Sequence, residues 1–374
     1  MKIGITCYPT YGGSGIVATE LGLELATRGH EVHFISYANP IRLDTSNASI
    51  HYHEVEVSTY PLFLYPPYCL ALASRMAEVS ESYGLDLLHV HYAIPHSISA
   101  LLAQQITTPA RRLPFVTTLH GTDITLVGAD RSYFEITKFS IEASNGVTSI
   151  SEYLRRRTQE VFGVRNEIRV IPNFVNCEQY RPDPEARAAS PLAPKGEKVL
   201  IHVSNFRPVK RTLDCIRLLA ETRKETAAHL LMVGDGPDRG PCEHLARELG
   251  MERHVSFLGK QSRVDRLFPL AHVLLLPSEL EGFGLAALEA MACGVPPVAT
   301  KEGGVPELVR HGVDGYLEAV GDVGAQARRV VELLSDEKRH AAMSAAARAS
   351  AQNRFSTELI IPQYEACYRE VCGT

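Results

Sequence analysis

Short runs of apolar, β-branched residues alternate with longer stretches of helical periodicity along almost the whole chain. Strand, helix and strand in this order predict parallel sheets with helices packed on both faces. In the first half we predict strands at residues 2–7, 32–36, 50–57, 85–90, 115–119, 147–150 and 168–171. Helices are predicted between some of these strands at 16–28, 70–83 and 134–144.

The alternation breaks at "IPNFVNCEQYRPDP" (171–184), and a stretch rich in Pro, Ala and Ser follows, which is typical of a domain boundary. A second series of strands is then predicted at 199–203, 230–233, 255–258, 273–276 and 297–299, before helices near 322–352 and at 357–372. We therefore predict an α/β protein of two Rossmann-like, doubly wound domains that face a cleft. The predicted domains are 1–172 and 173–355, and 356–374 is predicted to be a C-terminal helix that crosses back to the first domain.

Composition narrows the class of protein. The chain has 374 residues, of which 45% are hydrophobic and 22% charged, as in globular proteins. No apolar run has the length of a membrane span, and a net charge of −5 offers no basic surface for nucleic acid. The eight cysteines include no CxxC pair, so we expect reduced thiols and a cytoplasmic protein.

The stretch "ELEGFGLAALEAMACG" (279–294) contains two glutamates eight positions apart, Glu281 and Glu289. The first lies in the predicted loop of Gly282, Phe283 and Gly284, and the second lies on the helix that follows. Three interpretations of the two carboxylates are open: an acid/base pair, exposed helix charges, or groups that hold a ligand.

The start of that helix favours an anionic ligand. The N–H groups of Gly284 and Leu285 point out of the first turn, at the carboxyl end of a strand, where a phosphate would bind. Glu289 would then suit the hydroxyls of a ribose, and Glu281 the hydroxyls of a sugar.

Cations follow another predicted strand, in "HVSNFRPVKRTLD" (202–214). Arg207, Lys210 and Arg211 precede a helix, where positive charge opposes the helix dipole unless an anion compensates. Such cations suit a diphosphate, because they neutralise the charge that a departing nucleotide acquires.

A glycine-rich turn opens the first predicted helix in "YPTYGGSGIVATELG" (8–22), where Gly13 is placed to approach a phosphate. The turn lacks the GxGxxG spacing, and no acidic residue closes the second strand, which argues against a nicotinamide cofactor. A purely structural turn remains the alternative.

Polar residues also follow the strands of the first domain. In "TLHGTDITL" (118–126), His120, Thr122 and Asp123 are predicted at a strand end that faces the cleft. In "HVHYAIPH" (89–96) the histidines suggest a metal site, but no carboxylate or cysteine accompanies them at ligand spacing, so we predict none. Tyr92 of this stretch is predicted to reach the cleft.

Taken together, these motifs resemble a known family. "ELEGFGLAALEAMACGVP" is similar to the E-x7-E signature of the retaining glycosyltransferases of family 4, which adopt the GT-B fold, and the resemblance extends over almost the whole chain. The stretches at 2–22, 89–96, 118–125 and 202–211 resemble the members that begin bacillithiol synthesis. The resemblance implies transfer of N-acetylglucosamine (GlcNAc) from UDP-GlcNAc to the hydroxyl of L-malate, with the α configuration retained.

The resemblance also implies roles for residues of the donor site. Glu289 would hold the ribose and Glu281 the transferred sugar, while Lys210 would bind the diphosphate by charge. His120 would lie near the anomeric carbon. These assignments favour the ligand-holding interpretation of the glutamate pair, and His120, Lys210 and Glu281 become the candidate catalytic residues. Gly284 and Leu285 would bind the diphosphate through their backbone, and Gly13 would approach the phosphate. Gly282 and Phe283 are further candidate donor-binding residues.

One position departs from the family pattern. Family members usually have an arginine five residues before the lysine, whereas this chain has Asn205 there. Arg207 is the candidate replacement. No cofactor and no obligatory metal are expected, because a helix start and cations surround the leaving group.

The acceptor is the least constrained substrate. A malate site needs hydrogen-bond donors and a cation, and the first domain offers Ser14, Tyr92 and Thr122 at strand ends, with Lys138 as the predicted cation. Three alternatives stay open: a transferase to an inositol-phosphate acceptor, a UDP-sugar 2-epimerase, and a non-catalytic nucleotide-sugar-binding protein. No membrane or nucleic-acid partner is expected, and a homo-oligomer is compatible with the sequence.

Overall fold

The computed structural model describes residues 1–58, 61–62, 64–108, 113–125, 127–192, 194 and 196–373. The chain divides into two compact units. The N-terminal unit is Met1–Pro172 together with Ile360–Thr374, and the C-terminal unit is Asn173–Leu359. No helix in the described ranges is both long and apolar enough to cross a membrane.

The described residues of the N-terminal unit form a seven-stranded parallel sheet in the order β3-β2-β1-β4-β5-β6-β7. Its strands are β1 Lys2–Thr6, β2 Glu31–Ser36, β3 Ile50–Glu54, β4 Leu87–His91, β5 Phe115–Leu119, β6 Gly146–Ser149 and β7 Ile168–Val170. Its helices are α1 Gly13–Thr27, α2 Tyr68–Tyr83, α3 Ile98–Ile106, α4 Thr122–Thr125, α5 Phe134–Ala143 and α6 Glu152–Phe162.

Burial explains why these strands lack simple alternation. Every residue of β4 and of β5 is buried, because helices cover both faces of a parallel sheet. On one face, Ile35, Leu88 and Phe115 pack against Leu72 and Met76 of α2. The resulting core is continuous from the sheet to the helix layer.

The described residues of the C-terminal unit form a six-stranded parallel sheet in the order β10-β9-β8-β11-β12-β13. Its strands are β8 Lys198–Val203, β9 Ala228–Val233, β10 Val255–Gly259, β11 Val273–Leu276, β12 Pro297–Thr300 and β13 Tyr316–Glu318. Its helices are α7 Pro184–Ala189, α8 Thr212–Thr222, α9 Arg239–Glu248, α10 Leu285–Ala292, α11 Val305–Leu308, α12 Val323–Ser335 and α13 Glu337–Phe355.

The last helix, α14 Thr357–Cys372, has the bounds that its amphipathic pattern predicts. From Ile360 onward it belongs to the N-terminal unit, where Tyr364 and Tyr368 are fully buried. The hydroxyl of Tyr368 lies 2.7 Å from Nδ1 of His89 on β4, which joins this helix to the centre of the sheet.

All twelve predicted strands are present, with ends that differ by up to three residues, and β13 is an additional strand. Each sheet reverses its strand order beside its first strand, with β4 next to β1 and β11 next to β8. Ligands of doubly wound folds bind at such switch points, at the carboxyl ends of the strands. The glycine turn and Tyr92 follow the first pair of strands, and the cationic loop and the Glu281 loop follow the second.

Candidate functional site

In the C-terminal unit, the structure brings two of the predicted catalytic residues into contact. Nζ of Lys210 lies 2.7 and 2.9 Å from the two carboxylate oxygens of Glu281. The hydroxyl of Ser278 donates a hydrogen bond of 2.8 Å to the same carboxylate. The side chains of Lys210 and Glu281 are 20% and 13% exposed, so the ion pair is mostly shielded from water. The loops after β8 and β11 are thereby joined at the switch point.

A glycine that sequence analysis missed fixes the backbone of this loop. A Cβ atom at Gly303 would lie 2.2 Å from the carbonyl oxygen of Glu281, and Gly303 has a φ of +70°. The N–H of Gly304 donates a hydrogen bond of 2.9 Å to that same oxygen. The signal was the Gly-Gly pair after β12, which only the sheet order places behind Glu281.

Glu289 lies on α10 and is only 5% exposed, so the interpretation as an exposed helix charge is wrong. The hydroxyl of Tyr180 donates a hydrogen bond of 2.7 Å to its carboxylate. The guanidinium of Arg348 in turn donates to the carbonyl oxygens of Tyr180 and Cys177, at 2.6 and 2.8 Å. Tyr180 was not among the predicted site residues, because it lies in the irregular stretch before α7.

The glycine loop ends in the conformation that starts α10. Gly284 has a φ of +97°, a left-handed conformation that favours glycine, and it caps the helix whose first residue is Leu285. The first turn of a helix leaves N–H groups without acceptors inside the helix. Phe283 is buried against Phe355, with ring centroids 5.5 Å apart, so only its backbone remains for the predicted donor contact. Gly282 connects this residue to Glu281.

The three cations after β8 differ in their partners. The guanidinium of Arg211 pairs with Asp214 at 2.6 Å and with Glu279 at 3.2 Å. Arg207 is exposed, and no carboxylate in the described part of the chain pairs with it. Oδ1 of Asn205 is buried without a hydrogen-bond partner among the described residues. Arg207 is therefore the cation of this loop that is not already held by a carboxylate.

In the N-terminal unit, His120 belongs to a buried group of rings at the ends of β4 and β5. Its Nε2 lies 2.8 Å from Nδ1 of His91, and its ring stacks on Tyr92 with centroids 5.6 Å apart. Burial lowers the pKa of His120 to about 3, so its imidazole is neutral at neutral pH. Tyr92 holds a φ of +88°, which is unusual for a side chain other than glycine.

Asp123 organises the backbone around His120. Its carboxylate accepts hydrogen bonds from the N–H groups of Ala93, His120 and Gly121 at 3.1, 3.2 and 2.9 Å. Burial nevertheless raises the pKa of Asp123 to about 6. The adjacent Thr122 is exposed at the start of α4.

The glycine turn after β1 has one structural and one accessible part. A Cβ atom at Gly15 would lie 2.4 Å from the carbonyl oxygen of Tyr8, so this glycine is needed for packing. Gly13 is exposed and Ser14 is half-buried at the start of α1. Lys138, on α5, is half-buried. The ligand contacts predicted for these residues stay predictions.

The histidines of "HVHYAIPH" are buried and make their contacts inside this unit. His89 contacts the hydroxyls of Tyr368 and Thr118, both at 2.7 Å, and Nδ1 of His96 lies 2.5 Å from the carbonyl oxygen of His91. Within the described ranges these histidines do not group as metal ligands.

Comparison with known proteins identifies the family. Residues 11–179 match the model of "Glycosyltransferase Family 4", and residues 183–350 match that of "Glycosyl transferases group 1". The chain is 47% identical to the N-acetyl-alpha-D-glucosaminyl L-malate synthase of Bacillus anthracis, over 99% of this chain and 97% of that protein. This chain belongs to the family 4 glycosyltransferases. It is 27% identical to the D-inositol 3-phosphate glycosyltransferase of Nocardia farcinica, over 97% of this chain and 86% of that one.

Solved structures establish the fold of this glycosyltransferase as GT-B. A sucrose-phosphate synthase from Thermosynechococcus elongatus superposes with a TM-score of 0.83 at 23% identity, covering 100% of this chain and 99% of its own. The Anabaena protein HepE, in complex with UDP and glucose, superposes with a TM-score of 0.79 at 22% identity, covering 98% of both chains. The predicted pair of Rossmann-like sheets is confirmed.

Proposed function

We propose that this glycosyltransferase transfers GlcNAc from UDP-GlcNAc to the hydroxyl of L-malate, retaining the α configuration, as the first step of bacillithiol synthesis. The observation that carries the proposal is the 47% identity, over 99% of this chain, to a relative named for that product. The separate partners of Glu281 and Glu289 support it, because a transferase uses carboxylates to hold its donor.

Glu289 is proposed to accept hydrogen bonds from the ribose hydroxyls of UDP. This carboxylate is already desolvated and held by Tyr180, so binding costs little further desolvation or conformational entropy. Glu281 is proposed to accept from the hydroxyls of GlcNAc. Its ion pair with Lys210 holds the carboxylate in place before the donor binds.

The diphosphate is proposed to bind Lys210, Arg207 and the N–H groups of Gly284 and Leu285. An ammonium has three N–H donors, so Lys210 can keep its contact with Glu281 and still donate to a phosphate oxygen. Positive groups at this position stabilise the charge that builds up on UDP as it leaves. Gly13 is proposed as a further backbone contact to phosphate.

The reaction balances without another reagent. The bond between the anomeric carbon of GlcNAc and the β-phosphate oxygen breaks, and the malate oxygen bonds to the same face of that carbon. The departing phosphate takes the proton of the malate hydroxyl, so the products are GlcNAc-malate and UDP. His120 is proposed to lie near the anomeric carbon as a neutral imidazole. Catalysis would consist chiefly of positioning and of electrostatic stabilisation.

The acceptor residues proposed for malate are Ser14, Tyr92, Thr122 and Lys138. The hydroxyls would donate to the malate carboxylates, and Lys138 would supply the positive charge that a dianion requires. Cytoplasmic location is part of the proposal. It is supported by the eight cysteines, all of which are free, as expected in a reducing compartment.

A second candidate acceptor is an inositol phosphate, because a relative that is 27% identical over 97% of this chain is a D-inositol 3-phosphate glycosyltransferase. Both acceptors are anions with a reactive hydroxyl, so both would use the same kind of cationic site. A UDP-sugar 2-epimerase would need no acceptor at all.

The test incubates the purified protein with UDP-GlcNAc and, separately, L-malate, D-malate, inositol 3-phosphate or no acceptor, and follows UDP release. Among these acceptors, we expect only L-malate to give rapid UDP release. The proton coupling at the anomeric carbon of the product should show an α linkage. Faster release with inositol 3-phosphate would favour the second candidate, and acceptor-free conversion of the sugar would favour the epimerase.

A parallel assay in EDTA tests the proposal that catalysis needs no metal. We expect turnover to be unchanged. Loss of activity that a divalent ion restores would contradict this part of the proposal.

A further inference from the structure

Three potential metal ligands lie together at the outer edge of the N-terminal sheet. Glu31 begins β2, and His33 of β2 is paired in register with His51 of the edge strand β3. All three lie toward the amino ends of their strands. The candidate functional site of this unit lies at the carboxyl ends of the central strands, so the two groups of residues are at opposite ends of the strands.

The distances within this group suit one ion. Oε1 of Glu31 lies 3.1 Å from Nε2 of His33 and 3.6 Å from Nε2 of His51. The two imidazole rings stack, with centroids 4.6 Å apart. One ligand atom from each residue lies within 4.8 Å of the others. Ligands about 2.0–2.2 Å from a tetrahedral Zn²⁺ are separated by roughly 3.3–3.6 Å, so small side-chain movements would complete the site.

One contact of His33 is compatible with the tautomer that coordination needs. Nδ1 of His33 lies 2.9 Å from Nε2 of His53, so His33 can donate through Nδ1 and present the lone pair of Nε2 to an ion. Metal-binding histidines are commonly oriented by such a second hydrogen bond.

The charges near the group leave one oxygen of Glu31 for an ion. Nζ of Lys2 lies 3.1 Å from Oε2 of Glu31, whereas both histidines face Oε1. The side chain of Lys2 is 44% exposed and can turn toward water when a cation binds.

Solvent can reach the group. The side chain of His51 is 36% exposed and lies on an open groove of about 590 Å³. The groove is lined by Asn39, Thr45, Ile50, His51, Tyr52, His53 and Tyr83. An ion could therefore enter from this side and complete its coordination with water.

We propose that Glu31, His33 and His51 bind one Zn²⁺ with a water molecule in the fourth position. Two imidazoles and a carboxylate are ligands that Zn²⁺ accepts in tetrahedral geometry. The ion joins the edge strand β3 to β2 and so stabilises the end of the sheet. It takes no part in glycosyl transfer, because its ligands lie toward the amino ends of the strands and the candidate functional site of this unit lies at the carboxyl ends.

The full chain is first treated with EDTA and dialysed. ZnCl₂ is then titrated into it in a calorimeter, and thermal unfolding is recorded with and without Zn²⁺. We expect one site, with a rise in Tm of about 5 °C at a hundredfold excess over Kd. Glu31→Gln and His51→Gln should each weaken binding about 100-fold and abolish the rise in Tm. Lys2→Ala should strengthen binding several-fold, because it removes a competing cation.

The matched control is His244→Gln, since His244 is an exposed histidine 3.1 Å from a glutamate, Glu248, in the C-terminal unit. It should bind Zn²⁺ as the unchanged protein does. Equal binding by His51→Gln and the unchanged protein, or no binding at a defined stoichiometry, would overturn the proposal. The transferase assay is scored separately, so failure of the zinc site and failure of the proposed function are distinguishable.

Discussion

At the scale of single residues, Glu281 and Glu289 are eight positions apart but are held by different groups. Glu281 contacts Lys210 and Ser278, whereas Glu289 is buried beneath the hydroxyl of Tyr180. Paired carboxylates that hydrolyse a glycosidic bond flank that one bond and exchange protons with it. Carboxylates with separate donors are better suited to hold separate parts of one ligand.

Removing the carboxylate of Glu289 tests that assignment. Glu289→Ala should weaken UDP binding by about 1.5–3 kcal/mol, because the ribose loses a charged acceptor. Tyr180→Phe should weaken it by about 0.5–1.5 kcal/mol, because only the orientation of the acceptor is lost. Calorimetric titration with UDP measures both. Glu279→Gln, a change in an exposed carboxylate of the same stretch, should leave UDP affinity unchanged. Equal affinities for all three variants would contradict the assignment.

The ammonium of Lys210 should matter more for turnover than for binding. Lys210→Ala should lower kcat by about 100-fold or more with a smaller change in KM, because negative charge on the phosphate is greatest in the transition state. Steady-state kinetics with UDP-GlcNAc and malate provide the measurement. The control is Lys224→Ala, which removes an exposed lysine paired with Glu221. An effect of Lys210→Ala confined to KM would mean that the lysine only binds the donor.

At the scale of elements, glycines in loops decide where the charged side chains can lie. Gly303 packs directly against the backbone of Glu281, and Gly234, after β9, would place a Cβ atom 1.8 Å from the carbonyl oxygen of Ser204. Both positions let neighbouring loops at the carboxyl ends of the strands approach each other closely. The sequence shows the glycines, but strand order determines which loop each one supports.

The contact behind Glu281 can be tested with two glycines of similar backbone conformation. Gly303 and Gly312 have φ values of +70° and +76°, but a Cβ atom at Gly312 would meet nothing within 4 Å. Gly312→Ala should lose only about 1–2 kcal/mol of stability from the strained backbone. Gly303→Ala should lose more stability than Gly312→Ala. Its kcat/KM should also fall at least about tenfold, because the Glu281 loop must move. Urea unfolding and kinetics measure both effects, and equal kinetics for the two variants would show that the contact is unimportant.

At the scale of the whole molecule, buried neutral histidines make the stability of the protein depend on pH. Burial lowers the pKa values of His89, His96 and His120 to about 3, 4 and 3, and that of His202 in the C-terminal unit to about 4. Their pKa in the unfolded chain is about 6.5, so the unfolded state binds more protons below that pH. The stability that these histidines contribute is therefore lost as the pH falls below 6.5.

Each such histidine should lower the free energy of unfolding by about 2 kcal/mol as the pH falls from 6.5 to 5. Asp123 acts in the opposite direction: its pKa is raised to about 6, so its contribution is lost as the pH rises from about 4 to 6. Four histidines outweigh one aspartate, and we expect the urea midpoint to fall steadily from pH 7 to pH 5. A midpoint that is constant or rises over this range would show that the histidines are not buried as neutral rings.

The order of residues along the chain was enough to predict the α/β class, the two series of strands and the loops that carry Lys210, Glu281 and Glu289. These features depend on local periodicity and on which residues follow each strand, and both can be read along the chain. Helix and strand ends were less exact, and the three-residue strand β13 was missed. Lys138 and Thr122 remain predictions, since neither their positions on the chain nor their exposure identifies a ligand.

Contacts between residues that are distant in the chain depend on how the folded segments pack. Tyr180 reaches Glu289 across 109 positions, and Tyr368 reaches His89 across 279 positions. Glu31, His33 and His51 form one group only because β3 pairs with β2 in a particular register. Strand order and register depend on packing between segments, whereas a sequence pattern records only which face of its own segment a residue occupies. The chain therefore specifies where side chains of each kind lie along an element, and the packed sheet decides which of them meet.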